Sequence, residues 1–67
     1  MENIINTIIR RKIKQAMTMI RLGMDMTINE IIDMVFDELS KQRVVIDNAH
    51  REYIRQEVTK RLKHKIR

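Results

Sequence analysis

The chain contains one glycine, Gly23, and no proline, so very little in its 67 residues interrupts a helix. Glycine and proline are the residues that destabilise helices most, and turn-rich β-folds depend on both of them. Apolar residues recur every three or four positions over long stretches, which is the period of an amphipathic helix. The sequence therefore predicts an all-α protein.

The length limits the chain to one domain, residues 1–67, with a single small core. Ordering a residue costs about 1.5 kcal/mol, which a core of this size offsets only narrowly. Small domains gain further stability from disulfides, a metal or a second subunit, and the lack of cysteine excludes disulfides. His50 and His64 lack the paired spacing of metal ligands. We therefore expect no metal and no cofactor, and we expect a homodimer.

Local signals divide the chain into three helices. Gly23 ends the first, because glycine adopts the left-handed conformation that closes a helix. Thr27 and Glu30 have the spacing of a capping box, which begins the second helix. Asp47 or Asn48 caps the third. The predicted helices form a compact three-helix domain and span about residues 2–22, 27–41 and 47–66.

The segment between the second and third helices contains Arg43-Val44-Val45-Ile46, which has some strand character. A single short strand needs a partner strand to pair with. We therefore interpret this segment as an apolar linker.

Apolar side chains cover more than half of the circumference of the first helix. One neighbouring pair of helices would not bury so wide a surface. Either this helix is central in the bundle, or a second copy of the chain covers part of its Ile/Met surface. The expected dimer or partner interface consists of Ile5, Ile9, Ile13, Met17 and Met24.

The net charge of +5 favours binding to a polyanion. Cations of the first and third helices fall on outer faces, where a tyrosine and a glutamine join them, and such groups neutralise phosphates and contact bases or sugars. DNA is preferred to RNA as the ligand, with base contacts limited to Gln56 and Arg55. The alternative is that the third helix simply ends in solvated cations, which complement the helix dipole. The expected nucleic-acid-binding residues are Arg10, Lys14, Arg21, Tyr53, Gln56, Lys60, Lys63, His64 and Arg67.

The second helix exposes acidic residues, among them Glu30, Asp33 and Asp37, and these repel phosphates. This disfavours a helix-turn-helix over residues 15–34 in which the second helix would contact DNA. The two aspartates lie one turn apart, but no histidine, nucleophile or third ligand accompanies them. We interpret them as a solvated face.

No combination of nucleophile, base and orienting group is present, so we expect a binding protein and no catalytic residues. One alternative function is a protein-binding adaptor or inhibitor that uses the Ile/Met surface of the first helix. Another is membrane-surface association through the same helix, which lacks tryptophan or phenylalanine as an anchor. No apolar run spans a bilayer, so we expect no membrane insertion and a cytoplasmic location. The composition suggests a small regulatory or accessory protein of an AT-rich bacterial or phage genome.

Overall fold

The computed structural model describes residues 3–65 and shows an all-α protein of three packed helices. They are α1 (Ile4–Arg21), α2 (Ile28–Lys41) and α3 (Asn48–Leu62). The fold class expected from the sequence is confirmed, and the helix starts agree within two residues. No helix within the described residues is long and apolar enough to cross a membrane.

Each helix begins at a polar side chain that accepts the hydrogen bond of a backbone N–H three residues on. The Thr27 hydroxyl accepts from the Glu30 N–H at 3.1 Å, and the Glu30 carboxylate accepts from the Thr27 N–H at 3.0 Å. This is the predicted capping box. Asp47 caps α3 in the same way, and Asn3 caps α1, which the sequence analysis did not anticipate.

The helices end in two different ways. Gly23 follows α1 with φ of 98°, as predicted, and Arg43 follows α2 with φ of 58°. In contrast, α3 ends at Leu62, and residues 63–65 form a turn. We expected the helix to continue to residue 66, and for residues 63–65 this prediction is wrong. Residue 66 lies outside the described residues. Leu62 is the last buried residue of α3 among the described residues.

One core lies between the three helices and holds only apolar side chains among the described residues. Tyr53, near the start of α3, contacts Asn6, near the start of α1, while Lys65 lies beside Arg21 at the opposite ends. The two helices therefore run in the same direction, and α2 connects them. The buried residues are Ile5, Ile8, Ile9, Ala16, Ile31, Ile32, Val35, Leu39, Ile54, Val58 and Leu62.

The wide apolar surface of α1 is explained because this helix packs against both α2 and α3. Ile5 is 8% exposed and Ile9 is fully buried, so both belong to the core of the single chain. We expected both at an interface with a second copy, but in the single chain they pack in the core and leave little or no exposed surface for a partner. Of the five residues expected at the interface, Ile13 and Met17 are partly buried and Met24 is 50% exposed.

Candidate functional site

A surface groove of about 330 Å³ runs between α1 and the C-terminal end of α3. Five of the eight side chains along it are cationic, two are apolar and one is a threonine. Three of the cations belong to α1, and the other two come from α3 and the turn that follows it. The lining residues are Arg10, Ile13, Lys14, Met17, Thr18, Arg21, Arg61 and Lys65.

Helical spacing explains why these cations meet. Arg10, Lys14 and Arg21 are four and seven residues apart, so they form one stripe along α1 at the edge of its buried face. Arg61 and Lys65 are four residues apart and lie beside the apolar row of α3. Because α1 and α3 lie side by side and run in the same direction, these two stripes become the walls of one groove.

The electrostatics of the groove suit an anion. No carboxylate lines it among residues 3–65, and no ion pair within that range involves Lys14, Arg21 or Lys65. Arg61 is paired, since its Nε–H donates to Glu57 Oε1 at 3.0 Å. Lysine and arginine in such a cluster bind phosphate or carboxylate oxygens through charge-assisted hydrogen bonds.

Ile13 and Met17 form the apolar part of the groove, and both pack partly against the core. These two residues were expected at a protein interface, whereas Arg10, Lys14 and Arg21 were expected at a nucleic-acid site. The structure brings these five residues, a part of each predicted set, together in one groove. An occupant that combines anionic groups with an apolar surface would contact both.

Tyr53 and Gln56 lie elsewhere. The Tyr53 side chain is 39% exposed, and its hydroxyl donates a hydrogen bond to Asn6 Oδ1, which ties α3 to α1. Gln56 donates to Glu52 Oε1 at 3.0 Å on the exposed side of α3. The expected contacts of these two side chains with nucleic acid thus compete with interactions inside the chain.

Lys60, Lys63 and His64 are exposed but do not line the groove. Arg67, also expected at the site, lies outside the described residues. Arg55, which we expected to contact bases, has its guanidinium carbon 5.6 Å from the centre of the Phe36 ring.

Arg51 also approaches this ring, at 5.5 Å, so two cations from α3 pack on one aromatic side chain of α2.

Met24 lies at a second opening of about 400 Å³, where α1 ends and α2 begins. Asp25 and Glu30 also line this opening, so its charge does not favour an anion. Lys65 lines both openings. Met24 is therefore separated from Ile13 and Met17, which belong to the groove.

The acidic residues of α2 lie away from the groove or are paired. Lys12 Nζ is 3.2 Å from Glu38 Oε1, which joins α1 to α2, and Gln42 donates to the other oxygen of Glu38 at 2.8 Å. The hydrogen bonds from Gln42 and then Lys12 hold the pKa of Glu38 below its ordinary value. Asp37 accepts from Lys41 at 3.1 Å, and this bond raises the pKa of the lysine.

Comparison of the chain with protein-family models, curated proteins and solved structures gives no match in any of the three. Within residues 3–65 no three histidine, aspartate or glutamate side chains form a cluster that would hold a metal ion.

Arg61 and Lys65 are the functional candidates that the sequence analysis missed. A signal for them existed, because both positions flank the apolar row Ile54, Val58 and Leu62 on a helical wheel. Helical spacing places both residues on one side of that row, but it does not say that α1 lies next to this side.

Proposed function

We propose that the protein binds nucleic acid, with DNA preferred to RNA, by holding the phosphate backbone in the groove between α1 and α3. The observation that carries this proposal is the convergence of five cations, from α1, α3 and the turn after α3, on a groove that no carboxylate lines among the described residues. Neutralising phosphates with such cations releases condensed counterions, which drives binding in a salt-dependent way. The role is that of a small regulatory or accessory binding protein.

The charge distribution of the rest of the molecule supports the groove over the outer face of α3. That outer face includes Glu52, which holds Gln56, so cations there share their surface with a carboxylate. The exposed acids Asp33 and Asp37 belong to the face of α2 opposite to its buried residues. A polyanion in the groove would therefore meet cations from both walls, with the Glu57 carboxylate beside Arg61 as the nearby opposing charge.

Contacts to phosphates should dominate contacts to bases. Gln56 is bonded to Glu52 and Arg55 packs on Phe36, so the two side chains expected to contact bases are engaged within the chain. Phosphate contacts position a protein on nucleic acid without selecting a sequence. We therefore expect little difference in affinity between duplexes of different sequence.

The test is fluorescence anisotropy with a short labelled DNA duplex, repeated with the matching RNA. The double variant Lys14→Ala/Arg21→Ala removes two groove cations, and Lys60→Ala/Lys63→Ala removes two cations outside the groove. We expect the first to weaken binding by roughly tenfold or more, and the second by much less. Equal losses, or no binding by the unaltered protein at about 50 mM salt, would overturn the proposal.

A second candidate function is an adaptor or inhibitor that binds an acidic amphipathic helix. The observation in its favour is the apolar part of the groove, because Ile13 and Met17 are of no use to a bare phosphate backbone. Helices that dock in grooves insert apolar side chains at three- and four-residue spacing. Met17→Ala separates the two functions, since it should weaken a peptide ligand strongly and a DNA duplex hardly at all.

We also propose that the protein forms a homodimer, through Met24 and its exposed neighbour Leu22. These side chains are 50% and 79% exposed, and a contact there leaves the groove open. A dimer formed through Ile13 and Met17 would instead cover the groove and compete with an anion. Light scattering with and without the duplex tests this, because a dimer at Met24 persists on DNA binding whereas a dimer at Met17 dissociates.

A further inference from the structure

The ion pair between Glu57 and Arg61 lies at the edge of the groove, and Arg61 itself lines it. The Glu57 side chain is 19% exposed and that of Arg61 36% exposed, so the carboxylate is the more buried partner. Arg61 Nε donates to Glu57 Oε1 at 3.0 Å. Electrostatics alone makes this arrangement unfavourable for a polyanion site, because it places a negative charge next to the ligand.

Glu57 contacts only the Nε atom of Arg61, and this leaves the other end of the guanidinium available to a ligand. A guanidinium has five N–H donors, and within residues 3–65 the hydrogen bond of Arg61 uses only the one on Nε. The four donors on the two terminal nitrogens remain for a ligand, and they match two phosphate oxygens at once. Holding Nε fixes the plane of this fork before the ligand arrives, which lowers the entropy lost on binding.

We propose that Arg61 is the principal phosphate contact of the groove and that Glu57 is the residue that positions it. This inference rests on the nucleic-acid function proposed above and adds to it a specific contact geometry. Lys14, Arg21 and Lys65 add positive charge around this contact. Arg61 presents a planar pair of donors that Glu57 holds in one orientation.

Two variants of equal charge test the role of Glu57. Glu57→Gln removes the negative charge but keeps an oxygen that accepts from Arg61 Nε, whereas Glu57→Leu removes both. An electrostatic effect alone would strengthen DNA binding equally in the two variants. Positioning predicts that Glu57→Leu binds the labelled duplex about threefold to tenfold more weakly than Glu57→Gln.

The same pair of variants in an Arg61→Ala background provides the matched control. There the difference between glutamine and leucine at position 57 should disappear, because no guanidinium remains to be positioned. Arg61→Lys should not restore binding, since its ammonium has no counterpart to Nε. Thermal unfolding followed by circular dichroism checks that each variant is folded, and Glu57→Ala replaces Glu57→Leu if leucine prevents folding.

The outcomes separate this inference from the proposed function. If the unaltered protein binds DNA and loses affinity with Lys14→Ala/Arg21→Ala, but Glu57→Gln and Glu57→Leu bind equally, the positioning role is wrong and the nucleic-acid function stands. If the unaltered protein does not bind, both fall. If Glu57→Leu is weaker only when Arg61 is present, both are supported.

Discussion

Gly23 and Arg43 occupy the same left-handed backbone position at the ends of successive helices, with φ of 98° and 58°. In both places the N–H of the next residue donates a hydrogen bond to the carbonyl of the residue five positions before it. Met24 donates to the Met19 carbonyl at 3.1 Å, and Val44 donates to the Leu39 carbonyl at 2.9 Å. The two connections therefore share one capping geometry, although only the first has the glycine that this geometry favours.

This shared geometry predicts opposite effects of exchanging the residue at each position. Gly23→Ala should lower the free energy of unfolding by about 1 kcal/mol, because a side chain is disfavoured at this φ. Nothing lies within 4 Å of the added carbon, so the backbone conformation alone is responsible. Arg43→Gly should raise the free energy of unfolding by roughly 0.5 kcal/mol, since relief of strain exceeds the added entropy of the unfolded chain.

Urea unfolding of both variants measures these changes. The control is Gly23→Asn, which should be less destabilising than Gly23→Ala because asparagine tolerates the left-handed region better. If Arg43→Gly instead lowers the free energy of unfolding, the stabilisation that the arginine side chain provides is larger than the cost of its backbone strain.

The second prediction compares a buried residue of α1 with an exposed residue of the segment that follows it. Ile9 is fully buried and Met24 is half exposed, although both were expected at an interface. Ile9→Ala should lower the free energy of unfolding by about 2–5 kcal/mol through lost burial and the cavity that remains. Met24→Ala should change it by less than about 0.5 kcal/mol in the monomer.

Unfolding at several protein concentrations distinguishes the two roles. A dimer held by Met24 gives a midpoint that rises with concentration, and Met24→Ala should remove this dependence. A concentration-dependent midpoint that Met24→Ala leaves unchanged would contradict the proposed dimer contact.

The third prediction is a loss of stability in acid. The Gln42 and Lys12 hydrogen bonds lower the pKa of Glu38, and the His50 backbone N–H is the main cause that lowers the pKa of Asp47. A carboxyl whose pKa is lower in the folded state stabilises the fold above its unfolded pKa, and this contribution disappears as the pH falls through the folded pKa. Stability should therefore be highest above the ordinary values of 4.5 and 3.8 and should fall below them.

Urea midpoints measured across the acidic range test this dependence. Glu38→Gln and Asp47→Asn should each flatten the curve and lower the plateau at neutral pH. In a Lys12→Met background, Glu38→Gln should flatten it less, because one of the interactions that lower the pKa of Glu38 is already absent. A curve that both variants leave unchanged would show that other carboxyls dominate.

Local signals explain what the sequence could predict about the fold. The Thr27–Glu30 box and Gly23 act within a few residues, and the sequence alone predicts both. Asn3 offered the same kind of signal at the start of α1 and was overlooked. Arg43 offered none, because arginine rarely adopts a positive φ and the capping geometry there depends on the tertiary position of the next helix.

The groove was harder to predict because it depends on which helices are neighbours. Periodicity placed Ile9 and Ile13 on the same broad face of α1, but only the position of α3 decides that one is in the core and the other at the surface. The stripe containing Lys14 followed from helical spacing alone. Arg61 and Lys65 required the packing of α3 against α1, which no local signal in the chain specifies.

The last prediction concerns the number of counterions released when the protein binds DNA. A plot of log affinity against log salt concentration falls with a slope that grows steeper with each cation that contacts a phosphate, because each contact releases about one counterion. Loss of one such cation should therefore make the slope shallower by about 1. Lys14→Ala, Arg21→Ala and Lys65→Ala should each have this effect, because all three line the groove. Arg43→Gly removes the same charge at an exposed position outside the groove, and should leave the slope unchanged. Because Arg43→Gly is also expected to stabilise the fold, any loss of DNA binding in this variant would not be caused by unfolding. An equal decrease with Arg43→Gly would mean that DNA responds to the net charge of the molecule, and the groove would then lose its special role.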